Sequence, residues 1–116
     1  MQVLTRKLLT CCMAATALGL LLFSAPAQAL HHVKVGFYQN APLVFRDDDG
    51  VVKGLFADVL NAVAAENSWT TEWVEGSFAE GLERLERREL DIMTAVAWTE
   101  EREHLFDFTR QAIVSN

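Results

Sequence analysis

The segment from Leu90 to Ala97, LDIMTAVA, is apolar apart from Asp91 and Thr94, and the charged run WTEERE follows it directly. A short apolar stretch without polar alternation reads as a strand buried on both faces. Such strands sit in parallel sheets, where helices cover the two sides. A chain that must shield both faces of this strand is confined to an α/β arrangement, so the remaining sequence has to supply one-sided helices and further parallel strands.

It does so in alternation. Val33 to Tyr38 (VKVGFY) mixes β-branched and aromatic residues and reads as a strand that Pro42 prevents from continuing. Leu43 to Phe45 and Val51 to Lys53 flank RDDDG, in which Asp49-Gly50 is a hairpin signal. The aspartates lack the alternating spacing and closing Glu of a calcium loop, so they read as a solvated turn. Leu55 to Asn67 places Leu55, Phe56, Val59, Leu60 and Val63 on one helical face, with Asn67 as the stop. Thr70 to Val74 is strand-like. Ser77 and Glu80 then form an S-x-x-E capping box for a helix that aligns Phe78, Leu82 and Leu85 and turns its Glu and Arg residues to solvent. After the apolar strand, Thr99 caps a short helix over Glu100 to His104, and LFDF begins a last short strand.

The N-terminal part is an address rather than a piece of this fold. Arg6 and Lys7 precede an apolar or small-residue run from Leu8 to Phe23, and Ala27-Gln28-Ala29 supplies an A-x-A site. This pattern predicts a signal peptide over residues 1–29, cleaved after Ala29, and therefore export; an uncleaved anchor is the alternative. Both cysteines, Cys11 and Cys12, fall inside the signal, so Leu30 to Asn116 has neither disulfide nor thiolate metal site. With Arg6 and Lys7 set aside, eight Lys and Arg face sixteen Asp and Glu, a balance of −8. That balance argues against nucleic acid or an anionic membrane as partner.

No nucleophile–base pair, metal cluster or phosphate loop stands out, so no catalytic residue, cofactor or metal ligand is assigned. His31 and His32 read as a flexible leader, and His104 has no second ligand at i+4. Ligands of open α/β sheets bind beyond the carboxyl ends of the strands, close to helix N-termini. Three loops occupy such positions here, FYQNAP, EGSF and AVAWTEER, and a parallel sheet brings them together. They carry aromatic, amide and cationic groups suited to a small molecule. Each has a plainer reading: Arg102 in an exposed ion pair with Glu103 or Asp107, Phe78 as a core position of its helix, Trp98 as packing. Tyr38 faces either the core or the cleft, since alternation allows both.

The runs VKVGFYQNAPLVF, DGVVKGLFADVLNAVA, WVEGSFAEGLERLERRELDIMTAVAWTEERE and FDFT, in that order, resemble the family 3 extracellular solute-binding proteins over Val33 to Asn116. The resemblance implies the type II periplasmic-binding-protein fold, a two-lobed clamp of which residues 30–116 are the first, truncated part. Position by position, it implies that Arg102 pairs with a solute carboxylate, where a planar fork grips both oxygens. Phe78 matches the residue covering the solute side chain, and Asn40 stands where an aromatic is common. Ala95 and Ala97 match positions whose backbone N–H, and at 97 a hydroxyl, hold the carboxylate. Alanine keeps the first contribution and lacks the second. The implied function is non-enzymatic capture of a small carboxylate-bearing, amino-acid-like solute in the periplasm. Two partners fit such a receptor: an inner-membrane ABC permease, or a fused signalling module such as a histidine kinase or diguanylate cyclase. The alternatives are an enzyme on the same fold, dehydratase-like or joined to a peptidoglycan-cleaving domain, and a non-functional fragment.

Overall fold

The computed structural model describes residues 30–114. The expected signal peptide, with Cys11, Cys12 and the cleavage site, lies outside the described residues. In chain order the elements are β1 (His31–Phe37), β2 (Phe45–Arg46), β3 (Val52–Lys53), α1 (Leu55–Asn67), β4 (Trp69–Glu75), α2 (Phe78–Glu86), β5 (Ile92–Met93) and α3 (Glu100–Glu103). Among the described residues, no helix is long and apolar enough to cross a membrane.

β1, β4 and β5 form a parallel sheet in the order β4-β1-β5, as the apolar pattern predicts. β1 pairs with β4 along its full length, from His31 opposite Trp69 to Phe37 opposite Glu75. As the middle strand it carries the core: Val33, Val35 and Phe37 are buried, and Phe37 meets the Trp73 ring edge-on at 5.9 Å. His31 and His32 are therefore the first rungs of β1 rather than a flexible leader. Ladder pairing and the 2.8 Å contact between His32 Nε2 and Glu72 Oε2 order them.

The Asp-rich stretch is a hairpin turn between β2 and β3, with Gly50 at φ 81°. The Asp47 carboxylate accepts from the N–H groups of Asp49 and Val51 and pairs with Lys53. Lys53 and these amides hold the Asp47 carboxyl below its ordinary range.

α1 spans the predicted residues and ends where Ser68 turns left-handed and returns its N–H to Ala64 O. Its seat differs from the expected face. The buried positions are Ala57 and Ala64, while Leu55 and Val63 are 42% and 36% exposed. Small residues let the helix lie close to its neighbours, and the bulkier ridge borders an open groove of about 700 Å³ beside β5, with Val59, Leu60, Leu85 and Ile92 in its lining. α2 sits close to the sheet in its turn because Met93 fills the space left by two glycines. A Cβ on Gly81 would meet Met93 Sδ at 2.6 Å, and one on Gly36 would meet it at 2.8 Å.

Two strand predictions are corrected. Of Leu90 to Ala97, only Ile92 and Met93 pair with β1, and Ala97 is exposed. The two polar residues in the run delimit the ladder. The Asp91 carboxylate accepts from the Lys34 N–H at 2.8 Å, the Thr94 N–H and hydroxyl both donate to Gly36 O, and Ala95 then adopts φ 56° and turns the chain away. LFDF forms no strand: the N–H groups of Leu105 and Phe106 fold back onto Arg102 O, and Asp107 and Phe108 join no ladder among the described residues.

Candidate functional site

Since the three sheet strands run parallel, their carboxyl ends lie along one edge. Tyr38 and Asn40 follow β1, Phe78 opens α2 just beyond β4, and Ala95 to Arg102 follow β5. The helix carrying Phe78 starts where it does because of the predicted capping box. Ser77 Oγ accepts from the Glu80 N–H at 3.2 Å, and Glu80 Oε2 accepts from the Ser77 N–H at 2.7 Å. Those contacts keep the Glu80 carboxyl below its ordinary range. Thr99 likewise caps α3, its hydroxyl accepting from the Arg102 N–H at 3.2 Å.

All six residues singled out from the sequence, Tyr38, Asn40, Phe78, Ala95, Ala97 and Arg102, fall into one connected cluster. The Tyr38 hydroxyl donates to Ala95 O at 3.0 Å and accepts from Asn40 Nδ2 at 3.0 Å. Tyr38 thus faces this cluster. Its ring meets Phe78 edge-on, with centroids 5.3 Å apart. The Arg102 guanidinium lies 5.2 Å from the Phe78 centroid, and its Nη1 donates to Ala97 O at 3.0 Å. Among the described residues Arg102 forms no ion pair, with Glu103, Asp107 or any other carboxylate. Phe78 is half-buried, a ring between a phenol and a guanidinium rather than a core residue of its helix. Trp98 is 59% exposed, so it is not packing.

The arrangement is a cation seated on an aromatic face, next to a turn whose amides are available. Among the described residues, the backbone N–H groups of Ala95, Val96, Ala97 and Trp98 donate to no backbone or side-chain acceptor. Arg102 keeps donors beyond the one bonded to Ala97. A guanidinium and oriented amides together favour an anion, and the ring offers an apolar surface beside it.

Sequence reasoning missed a second polar group on the same edge. Glu75, the last residue of β4, accepts from Arg46 Nε and Gln39 Nε2 at 2.9 Å each, while Gln39 Oε1 accepts from the Arg46 N–H at 3.2 Å. Arg46, and then Gln39, hold the Glu75 carboxyl below its ordinary range. No motif joins residues 39, 46 and 75; only the ladder that sets Phe37 opposite Glu75 brings them together.

Fold and geometry define an α/β lobe that gathers a guanidinium, two aromatic rings and unbonded amides at the carboxyl edge of a parallel sheet. The chain belongs to the bacterial extracellular solute-binding proteins, family 3, whose model matches residues 33–116. It is similar to an arginine-specific periplasmic binding protein of Salmonella typhimurium at 25% identity and TM-score 0.63, over 69% of this chain and 37% of that one. It is similar also to the substrate-binding protein of a polar amino acid ABC uptake transporter from Streptococcus thermophilus (26% identity, TM-score 0.62, 68% of this chain and 31% of that one). A histidine kinase sensor domain with similarity to periplasmic binding proteins shares the fold, at 23% identity and TM-score 0.60 over 65% of this chain and 33% of that one. The chain thus spans about a third of the length of these solved relatives. Comparison with curated protein sequences yields no match.

Proposed function

We propose that residues 30–116 are the N-terminal part of an exported, periplasmic solute-binding domain that captures a small carboxylate-bearing, amino-acid-like solute without transforming it, with the signal peptide removed after Ala29. The observation that carries this reading is Arg102. Its guanidinium is held by Ala97 O and the Phe78 ring at the carboxyl edge of the sheet, has no carboxylate partner among the described residues, and adjoins available amides. The carboxylate would bridge Arg102 and the amides of the 95–98 turn, and the solute side chain would lie against Phe78. At Ala97 no hydroxyl contributes, so the backbone bears more of the anion recognition. In such clamps a second lobe closes over the solute, and closure is the event a partner reads.

Importer receptor and sensor input are both consistent with this chemistry. The likeness to a transporter's substrate-binding protein supports the first, and the fold shared with a kinase sensor domain supports the second.

The test is titration calorimetry of the full-length protein with a panel of L-amino acids and their deaminated acids. At least one panel member should bind wild type, and Arg102→Ala should lose it while keeping the wild-type circular dichroism spectrum. Equal affinity in the two proteins would remove Arg102 from the site.

A further inference from the structure

The Tyr38 hydroxyl has a single proton, and its neighbours determine where that proton goes. Asn40 Nδ2 can only donate, so at 3.0 Å it occupies a lone pair of the phenol oxygen and leaves the phenol proton for Ala95 O, also at 3.0 Å. Asn40 is itself anchored. Its backbone N–H donates to Val44 O, and its carbonyl accepts from the N–H groups of Leu43 and Val44. At the other end, Ala95 holds φ 56°, a left-handed conformation that L side chains disfavour, so this turn needs support from outside itself. Two residues further on, Ala97 O receives Arg102 Nη1. A directional relay therefore runs from the loop after β1, through Asn40 and Tyr38, to the turn that seats the guanidinium.

We infer that Tyr38 and Asn40 are positioning residues: their polar groups are committed to this relay, which fixes the Ala95 turn and through it the orientation of Arg102 and the adjacent amides for solute capture. The inference rests on the receptor reading above. It assigns to Tyr38 and Asn40 a role exerted through the turn rather than by direct contact with the solute.

The direction of the relay supplies its own test. In Tyr38→Phe the phenol proton is gone. In Asn40→Asp the carboxylate accepts instead of donating, and it draws the phenol proton away from Ala95. Asn40→Ala leaves the Tyr38–Ala95 bond in place. In the full-length protein, the first two variants should move the Ala95 carbonyl ¹³C resonance upfield and weaken binding of the tightest panel member by about fivefold, the effect of one lost hydrogen bond. Asn40→Ala should move the resonance least and retain more of the affinity. A merely structural role would not make the isosteric aspartate move the Ala95 carbonyl more than the truncation does; affinity alone does not decide, because a carboxylate at 40 also repels an anionic solute directly.

An unmoved Ala95 carbonyl in Tyr38→Phe overturns the relay, and a moved carbonyl with unchanged affinity overturns its role in solute capture. Should Tyr38→Phe fail to fold, the Ala95 carbonyl shift in Asn40→Asp against Asn40→Ala decides. A wild-type protein that binds nothing in the panel overturns the receptor reading, and with it the role in capture, whereas the carbonyl shift still reports on the relay itself.

Discussion

Two arginines stand on the carboxyl edge of the same sheet, each over a phenylalanine ring. Arg46 lies 5.3 Å from the Phe37 centroid and Arg102 lies 5.2 Å from that of Phe78. Each also donates to a backbone carbonyl, Arg46 to Gly50 O and Arg102 to Ala97 O. They differ in one respect: Arg46 has a carboxylate partner, Glu75, and Arg102 has none among the described residues. The first charge is spent inside the structure, tying the β2–β3 hairpin to the end of β4. The second is directed by the structure and left unmatched. An oriented cation without a counter-charge among the described residues is a better candidate for anion recognition than one already paired.

The sharpest way to break that comparison is to truncate both. Arg102→Ala should weaken binding of a carboxylate solute by at least about thirtyfold, roughly 2 kcal/mol, because a desolvated anion loses its charged partner. Arg46→Ala should leave affinity within about threefold, since exposed pairs of that kind contribute little, and should instead lower the melting temperature slightly. Calorimetry and thermal melts on both variants give the two numbers for each. Equal losses of affinity would mean that the pairing of Arg46 does not distinguish it.

A second prediction disturbs the ring under one arginine and not the other. Gly81 lets α2 approach Met93, and α2 positions Phe78 through its first turn. Gly81→Ala meets the end of the Met93 side chain, which also fills the space over Gly36, and should shift that contact and destabilise the protein by about 1 kcal/mol, the low end of overpacking. Denaturant unfolding measures the loss. Solute affinity should fall as well, because Phe78 moves with α2, whereas the Arg46–Phe37 contact stays as it is. A Gly81→Ala protein of wild-type stability would show that Met93 yields and that the helix position is not set there.

How much of this was legible beforehand follows the same divide. The capping box, the hairpin turn and the helix over Leu55 to Asn67 are local, and a few adjacent residues determine each of them. That the three loops carrying the six candidate residues come together was readable because sheet topology joins carboxyl-end loops whatever their separation in sequence; the residues within them came from the family resemblance, apart from Tyr38. What could not be read was where pairing stops. Asp91 and Thr94 looked like interruptions of an apolar strand, and their side chains in fact bond to the backbone of β1 and close the ladder. The seat of α1 on two alanines was hidden for a related reason: periodicity reports which face is apolar, not which part of it meets a neighbour. The Arg46–Glu75–Gln39 group left no trace in sequence, because its members meet only through parallel register.

The smallest expected effect separates the two arginines by pH. Glu75 has its carboxyl pKa lowered from an ordinary 4.5 by the hydrogen bond from Arg46 and then by that from Gln39. A carboxyl whose folded pKa is depressed adds stability above its unfolded pKa, and that contribution is lost as pH falls through the folded value. The Arg46 anchor of the hairpin is thus fully present at neutral pH and fades below 4.5. Asp47, Glu72 and Glu80 are shifted the same way and lose their contributions on the same side, so a melting curve against pH sums all four. Glu75→Gln isolates one of them: its melting temperature should lie below wild type at neutral pH and converge on it in acid. Among the described residues the guanidinium of Arg102 has no carboxylate to lose, so affinity for a solute that stays ionised should be flat from neutrality to about pH 5. Parallel melting curves for wild type and Glu75→Gln would show that the hairpin does not depend on the charge. A fall in solute affinity above pH 5 would show that Arg102 does have a titrating partner, and the contrast between the two arginines would then be one of degree.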